Sequence, residues 1–231
     1  AIDKTFDDTI EHNIGMTALI YAHSYCSSGT GHFAQFRDLK DVKSVNDTFL
    51  YRDRRAWDYF EKKFKEILGF HKYYSKRKHT STNMDFREIL EDKRLMDKVD
   101  VIYADPPYSF VHYSRFYHAT ESLVKYDYMM PTFKGRYRTD RHQSPFCQKQ
   151  NVEKAFDMLF KSAAKNSKKI LLSYANTSMI TLEEIIELMK SHGMDYLISE
   201  VDYDHSTMGR EGHKSNQIKE YLVSAKPSPR H

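Results

Sequence analysis

Two stretches in the amino-terminal third of the chain carry apolar residues at helical spacing. In the segment 1–27, isoleucine, leucine and tyrosine recur at intervals closer to helical than to alternating spacing, and the segment ends at a Ser-Ser-Gly breaker. In the second stretch Trp57, Phe60 and Phe64 recur at intervals of three and four, and a glycine follows as a C-cap. The pattern predicts helices over about 1–27 and 54–68.

Further along the chain, short β-branched runs alternate with helical patterns. The run 99–104, Val-Asp-Val-Ile-Tyr-Ala, is typical of a buried strand and stops at two prolines. The remaining predicted elements are helices near 151–165 and over 181–191, and strands over 170–174, 195–203 and 219–225. The last two strands flank a turn-like segment containing Gly209 and Gly212, so we expect them to form an antiparallel pair. Helices that alternate with strands predict an α/β fold.

The net charge is only mildly positive, but the cations are clustered with aromatic residues. Thirty-six Lys and Arg against 32 Asp and Glu give a net charge of +4, which by itself is weak evidence for a polyanionic partner. Three runs nevertheless interleave cations with rings: RDRRAW at 52–57, KYYSKRKH at 72–79 and KGRYRTDRHQ at 134–143. Such a surface suits nucleic acid, whereas each run taken alone is also compatible with a solvated charged face.

Other features argue against several classes of protein. No apolar run reaches the roughly 18 residues of a membrane span, and the amino terminus lacks the features of a signal peptide, so we expect a cytoplasmic protein. Cys26 and Cys147 lie far apart without a CxxC motif, which indicates idle thiols and neither a disulfide framework nor a metal knuckle. The 12 histidines include no pair at ligand spacing beside carboxylates, so we expect no metal site.

The residues best suited to chemistry are Asp105, Pro106, Pro107 and Tyr108, which follow the predicted strand directly. Open α/β sheets place ligand sites at the carboxyl ends of their strands. The exocyclic amine of adenine or cytosine is a poor nucleophile, because its lone pair is delocalised into the ring. The Asp105 carboxylate and the Pro106 carbonyl could accept the two amine protons and favour a tetrahedral nitrogen. The prolines fix φ and donate no hydrogen bond, and Tyr108 offers a ring on which a flipped base could stack. The alternative interpretation of these four residues is a proline-stiffened turn without a catalytic role.

These blocks resemble those of the D12-type adenine-specific DNA methyltransferases of bacterial restriction-modification systems. The resemblance is carried by SSGTGHFAQF at 27–36, VIYADPPYSFVHYSRFYHATESL at 101–123 and KGRYRTDRHQSPFC at 134–147. It implies a class I, Rossmann-like methyltransferase sheet, with S-adenosyl-L-methionine as methyl donor and adenine N6 in double-stranded DNA as acceptor. It also identifies Asp105, Pro106, Pro107 and Tyr108 as the catalytic block. In the family such a block goes mostly with adenine, whereas Ser at its first position is commoner for cytosine N4.

The resemblance also points to residues that border the cofactor. The segment Asn83-Met84-Asp85-Phe86 matches, more loosely, the family segment whose acidic residue reaches the adenine of the cofactor. We therefore expect Asp85, Phe86 and Asp105 to line the cofactor site. Asp85 is equally well placed as the N-cap of a helix that begins near Arg87, and one carboxylate could serve in both roles.

Side chains close to or downstream of the catalytic block are candidates for contact with DNA. Those expected near a flipped base are Tyr108, Tyr113, Arg115, Tyr117 and His118, and those expected at phosphates are Arg136, Arg138 and Arg141. Ordered packing within a loop is the alternative for these residues. The segment 205–210, between the last two strands, is at least as compatible with an ordinary hairpin turn as with contact to substrate.

One part of the family's sheet has no convincing counterpart in the sequence. The family's sheet begins with a strand and a glycine-rich turn that holds the methionine moiety of the cofactor. Gly29-Thr30-Gly31 has the glycines, but the preceding residues lack the expected acidic residue and strand pattern. We therefore expect strands one to three of a seven-stranded sheet to be mostly missing and a second chain to complete the sheet, because natural proteins avoid a long unpaired edge.

The sequence thus predicts two regions, a mostly helical segment over 1–81 assigned to DNA recognition and the catalytic α/β portion over 82–231. The expected function is that of the catalytic subunit of a DNA adenine-N6 methyltransferase that requires a partner chain. Two alternatives stay open. One is a nucleic-acid-binding subunit that resembles a methyltransferase but performs no chemistry, against which the intact Asp105 argues. The other is an N4-cytosine methyltransferase.

Overall fold

The fold is that of a computed structural model, which describes residues 10–29, 33, 37, 39–70, 79–107, 110, 112–133, 137–203 and 218–229. The chain forms two compact units. The helical unit comprises residues 1–80 and 113–142, and the sheet unit comprises residues 81–112 and 143–231. The chain therefore leaves the sheet unit after residue 112 and re-enters it at residue 143, so that the segment following the Asp-Pro-Pro block groups with the amino-terminal helices.

The described elements follow one another in the order helices, strand, helix, and then alternating helices and strands. The helices are α1 (Ile10–Cys26), α2 (Val42–Arg52), α3 (Ala56–Gly69), α4 (Phe86–Glu91), α5 (Lys93–Met96), α6 (Tyr113–Lys125), α7 (Val152–Lys165) and α8 (Leu182–Ser191). The strands are β1 (Val101–Ala104), β2 (Lys169–Ala175), β3 (Met194–Tyr203) and β4 (Ile218–Pro227), and a short 3-10 turn, Pro145–Cys147, precedes α7.

In the helical unit α1 packs closely against α3 and also contacts α6. The close approach is possible because the buried face of α1 consists of small residues, Gly15, Ala18 and Ala22. The predicted helices over 1–27 and 54–68 are confirmed within the described residues. Trp57, predicted to share the apolar face of α3, is instead 62% exposed and stacks on Phe60 along the helix.

The sheet has the strand order β1-β2-β4-β3. β1 and β2 are parallel, with Ala104 opposite Leu172, whereas β4 runs antiparallel to both β2 and β3. The predicted antiparallel pairing of the last two strands is confirmed, and the glycines expected in their connection, Gly209 and Gly212, lie outside the described residues. The architecture is α/β with a mixed sheet, as the alternation of patterns predicts.

Helices α4, α7 and α8 contribute to a hydrophobic core on one face of this sheet. The centre of the core is formed by fully buried side chains from helices and strands, Phe156, Phe160, Ile170, Leu172, Ile185, Met189 and Val223. Helix α8 begins in a capping box, in which the Thr181 hydroxyl accepts from the Glu184 N–H and the Glu184 carboxylate accepts from the Thr181 N–H. This box fixes where the chain turns back after β2.

The opposite face of the sheet carries exposed apolar side chains. Because residues alternate between faces, the neighbours of core residues point away from α7 and α8. Among them Val101 is 44% exposed, Tyr103 62%, Leu222 42% and Leu197 70%. Among the described residues β1 pairs only with β2, so its other edge has no neighbouring strand. Parallel strands are normally covered on both faces, and the described helices of the sheet unit cover this sheet on one.

Three details depart from the sequence-based expectation. Helices α2 and α6 are absent from the sequence-based prediction. In the structure Val42 and Phe49 of α2 are exposed, and His118 is the buried residue of α6. Strand β1 begins at Val101 and not at residue 99, since the Val99 N–H bonds to the Met96 carbonyl in the preceding turn.

Candidate functional site

The Asp-Pro-Pro block lies where the sequence places it, directly beyond the carboxyl end of β1. Asp105 is exposed, Pro106 is buried and Pro107 is half-buried, whereas Tyr108 lies outside the described residues. Because β1 and β2 are parallel, their carboxyl ends meet at the same edge of the sheet. A carboxylate is thus held at the edge where open α/β sheets bind ligands, on a backbone stiffened by two prolines.

The neighbouring strand ends in a turn that the sequence-based reasoning did not single out. Asn176 follows β2, donates its N–H to the Lys219 carbonyl at 3.1 Å and accepts from the Lys219 N–H through its side-chain oxygen at 3.2 Å. The buried hydroxyl of Tyr174 donates to the Ile180 carbonyl, and burial raises the pKa of Tyr174 to about 12. These bonds hold the turn after β2, which lies at the same carboxyl edge of the sheet as Asp105. Its signal in the sequence is an Asn-Thr-Ser run directly after a predicted strand.

The first two cofactor candidates, Asp85 and Phe86, lie at the start of α4. The Asp85 carboxylate accepts from the backbone N–H of Arg87 at 3.0 Å, which confirms its prediction as an N-cap. It also pairs with the Arg87 guanidinium at 2.8 Å, and the Asp85 side chain is only 13% exposed. The ring of Phe86 lies 4.9 Å from that of Phe146 and packs against the core. Contact of Asp85 and Phe86 with the cofactor stays a prediction.

A cleft of about 340 Å³ opens beside the start of α4. Its walls come from α4, from the turn before α7 and from α7 itself, and include Phe86, Arg87, Gln148, Asn151 and Lys154. Asp85 and Asp105 are not among the lining residues. The cleft therefore does not unite the two candidate carboxylates, and we assign it no ligand.

The residues after the Asp-Pro-Pro block differ in how accessible they are. Tyr113 and Tyr117, one turn apart on α6, are 48% and 55% exposed, with ring centroids 6.2 Å apart. Arg115 is half-buried. His118 is 7% exposed, and its Nδ1 lies 3.1 Å from the Arg115 carbonyl oxygen. His118 therefore leaves the set of DNA-contact candidates, because its ring is enclosed within the helical unit.

Arg138 is also removed from that set by its burial. It is 1% exposed, although the sequence suggests a contact with phosphate. Its guanidinium bonds to both carboxylate oxygens of Asp127, to both oxygens of Asp140 at 3.0 Å and to the Ser122 hydroxyl at 2.8 Å. Lys125 of α6 adds a bond to Asp140 at 3.0 Å. We call these residues the Arg138 network; it ties the segment after α6 to the end of that helix.

The Arg138 network makes stability depend on pH. Hydrogen bonds from Arg138 lower the pKa of Asp127 to about 2 and the pKa of Asp140 still further, the latter with help from Lys125. A lowered carboxyl pKa stabilises the folded state above the ordinary value near 3.8, and this contribution is lost as the pH falls through the folded value. We expect Asp127→Asn to lower the Tm at pH 7, and the gap to wild type to close progressively below about pH 4. Thermal unfolding by circular dichroism across this range checks the expectation; a gap independent of pH would contradict it.

Two further arginines, both candidates from the sequence, lie against the ring of Tyr137. Tyr137 itself is not among the residues that the sequence predicts for the site. The Arg141 guanidinium lies 4.2 Å from the ring centroid, and that of Arg115 lies 6.0 Å from it. Phe133 contacts the same ring edge-on at 5.4 Å. Arg136, the remaining candidate for phosphate contact, lies outside the described residues. The structure thus brings Arg115 and Arg141 to the same ring, whereas Arg138 is paired with Asp127 and Asp140.

The described residues contain neither a metal-binding cluster nor a membrane-spanning helix. No group of three or more His, Cys, Asp or Glu side chains in these ranges is arranged to hold a metal ion. Among the same residues, no helix has the length and apolar character that crossing a membrane requires.

Comparison with curated proteins finds methyltransferases. The chain is 33% identical over 135 residues to the type II methyltransferase M.FokI of Planomicrobium okeanokoites, a match covering 55% of this chain and 20% of that protein. It is 29% identical over 126 residues to the modification methylase LlaI of Lactococcus lactis subsp. lactis, covering 52% and 20%. Identity to the type II methyltransferase M.NlaIII of Neisseria lactamica is also 29% over 126 residues, covering 53% and 36%.

The chain therefore spans between a fifth and about a third of the length of these relatives. No protein family model matches the chain. No solved structure matches it either.

Proposed function

We propose that this chain carries the catalytic carboxylate of a DNA methyltransferase that transfers a methyl group from S-adenosyl-L-methionine to N6 of adenine. The observation that supports the proposal most is the position of Asp105, exposed on a proline-stiffened turn at the carboxyl end of β1. The relatives support methyl transfer as the reaction, since they are type II methyltransferases and a modification methylase. The strand order β1-β2-β4-β3 is compatible with one half of a class I methyltransferase sheet.

Asp105 can act on the amine without a covalent intermediate. Its carboxylate accepts a hydrogen bond from one amine proton of the flipped adenine, and the Pro106 carbonyl accepts from the other. These two bonds favour a tetrahedral nitrogen, whose lone pair then points towards the incoming methyl group. Proline has no N–H, so neither proline of the turn can donate a competing bond. The cofactor supplies the methyl group on a sulfonium, and no cysteine nucleophile is needed for transfer to nitrogen.

The residues of this chain fit the cofactor only in part. Asp85 and Asp105 can contribute carboxylates, although Asp85 already pairs with Arg87. Among the described residues no glycine-rich turn follows a strand at the carboxyl edge of the sheet. We propose that polypeptide from outside these 231 residues supplies a strand that pairs with the edge of β1 and brings such a turn. The same polypeptide would cover the exposed side chains of Tyr103, Leu197 and Leu222. That it belongs to a second chain stays a prediction.

We expect the product to be N6-methyladenine. Genomic DNA is incubated with labelled S-adenosyl-L-methionine and the protein, alone and together with the product of the neighbouring gene, and the nucleosides are then separated after hydrolysis. The label is expected at N6-methyladenine, because an aspartate at the first position of the block is, by resemblance, the mark of adenine enzymes. Label found only in N4-methylcytosine would reverse the assignment of the base while leaving the role of Asp105 intact.

A further inference from the structure

We propose that Arg115, Tyr137 and Arg141 form a binding site for one phosphodiester group of DNA, and that the buried Arg138 positions this site. The inference rests on the proposed function, since it takes DNA as the ligand, and it deepens that function by assigning a phosphate contact to particular residues. All four residues belong to the helical unit, so the argument depends on the internal structure of that unit alone.

The first observation is the pairing of two cations on one ring. The guanidinium groups of Arg141 and Arg115 lie 4.2 Å and 6.0 Å from the Tyr137 centroid. Within the described part of the chain neither arginine forms an ion pair with a carboxylate. Arg138, which lies between Tyr137 and Arg141 in the sequence, pairs with two carboxylates. The Nε of Arg115 is moreover buried and has no hydrogen-bond acceptor among the described residues.

A phosphate group fits two guanidinium groups on one ring better than a neutral acceptor does. Two guanidinium groups that share a ring repel each other, and an anion between them removes that repulsion. The planar fork of each guanidinium matches the geometry of phosphate oxygens, and stacking on the ring restricts the side chain before the ligand arrives. Contacts of this type fix the position of a protein on DNA without reading its sequence.

The second observation explains how the site is held. Tyr137 pairs with Thr132 in an antiparallel bridge, in which the Thr132 N–H donates to the Tyr137 carbonyl at 2.7 Å. The next residue, Arg138, bonds to Asp140 two positions further on, and Arg141 follows Asp140 directly. The Arg138–Asp140 pair therefore closes a short turn with Tyr137 at one end and Arg141 at the other. Bonds from Arg138 to Ser122 and Asp127 fasten this turn to α6, the helix that carries Arg115.

The salt dependence of DNA binding tests the site. Binding of a fluorescein-labelled duplex to the full chain is measured by anisotropy at a series of salt concentrations. Neutralising one phosphate contributes about 0.9 to the slope of log K against log salt. We expect Arg141→Gln and Arg115→Gln each to reduce the magnitude of the slope by up to about this amount. Because both arginines serve one phosphate, the double variant should lose no more than about 0.9 in total.

Arg94→Gln is the matched control, because it removes the same charge from a side chain that is 88% exposed in the sheet unit. It is expected to leave the slope at the wild-type value. Tyr137→Phe keeps the ring and should also bind as wild type, whereas Tyr137→Ala should lose affinity. If Arg141→Gln and Arg115→Gln both behave like Arg94→Gln, the phosphate site is excluded. Additive losses of about 1.8 in the double variant would likewise overturn a single shared phosphate.

Arg138→Gln tests the positioning role. Variants that keep the wild-type circular dichroism spectrum are compared by salt slope, since a residue needed only for stability would leave the slope of a folded variant unchanged. We expect Arg138→Gln to lose as much slope as Arg141→Gln, although its side chain is buried and cannot reach DNA. A wild-type slope would show that Arg138 does not position the site. The proposed function is tested by a different experiment, in which methyl transfer that does not depend on Asp105 would contradict it whatever the salt slopes show.

Discussion

Replacing Asp105 by alanine is expected to abolish methyl transfer while leaving the fold intact. The side chain is exposed beyond the last paired residue of β1, so its removal breaks no backbone pairing and creates no cavity in the core. What is lost is the acceptor for one amine proton in the transition state. Loss of one such preorganised group costs about 10²–10³-fold in rate in other enzymes, and we expect at least that reduction here. The rate is measured with labelled S-adenosyl-L-methionine on DNA, in the preparation that transfers methyl groups.

Asp100→Ala provides the control for this experiment. Asp100 is an exposed aspartate at the other end of the same strand, where its backbone carbonyl accepts from Lys169. The substitution removes the same carboxylate from a position that cannot meet a substrate at the carboxyl edge. It should therefore leave the rate within a small factor of wild type. Undiminished transfer by a folded Asp105→Ala protein would exclude the mechanism, and an equal loss in both variants would point to charge or stability as the cause.

The second large effect concerns the binding of S-adenosyl-L-methionine. We expect the isolated chain to bind this cofactor in the millimolar range and the completed sheet to bind it in the micromolar range, a gain of about 1,000-fold, or roughly 4 kcal/mol. The physical reason is that the described residues offer Asp85 and Asp105 but no turn for the methionine moiety. The exposed Tyr103, Leu197 and Leu222 indicate that this part of the sheet is built to be covered.

Isothermal titration of the purified chain decides this point. Weak or undetectable binding by a folded chain, with micromolar binding after addition of the polypeptide that completes the sheet, is the expected pair of results. Val101→Glu, at the edge strand, should weaken that association, whereas Lys190→Glu, on the covered side of the sheet unit, should not. Micromolar affinity in a monodisperse monomer would contradict the proposal and would direct attention to Gly29-Thr30-Gly31.

The elements of the sheet unit could be predicted because their sequence patterns reflect burial on one side. Strands β2, β3 and β4 and helices α7 and α8 all lie within a few residues of their predicted bounds. The helices α2 and α6 could not be predicted in the same way. In α2 the buried residue is Thr48, so its polar character hides the periodicity on which the prediction depends. In α6 the residues Tyr113 to His118 are interpreted from the sequence as part of the loop that follows the catalytic block, although the helix is amphipathic.

The candidate site shows the same division. The position of Asp105 beyond a strand follows from the sequence, because β-branched residues, prolines and a carboxylate stand next to one another in the chain. The fate of Arg138 does not follow from it. Arg136, Arg138 and Arg141 are indistinguishable as letters, yet Arg138 is buried among two carboxylates that lie 11 positions before and two positions after it.

The sequence by itself therefore determined the α/β class, the antiparallel pair of strands β3 and β4, and the position of the candidate carboxylate Asp105 at a strand end. These depend on local order along the chain, on hydrophobic period and on the stiffness of proline. Only the tertiary structure decided which arginine is neutralised by carboxylates, that Tyr137 joins two others, and that in the described part of the sheet unit one face and one edge of the sheet have no covering element. Those outcomes depend on which distant side chains become neighbours on folding, because an arginine is neutralised or available according to the carboxylates that packing brings to it.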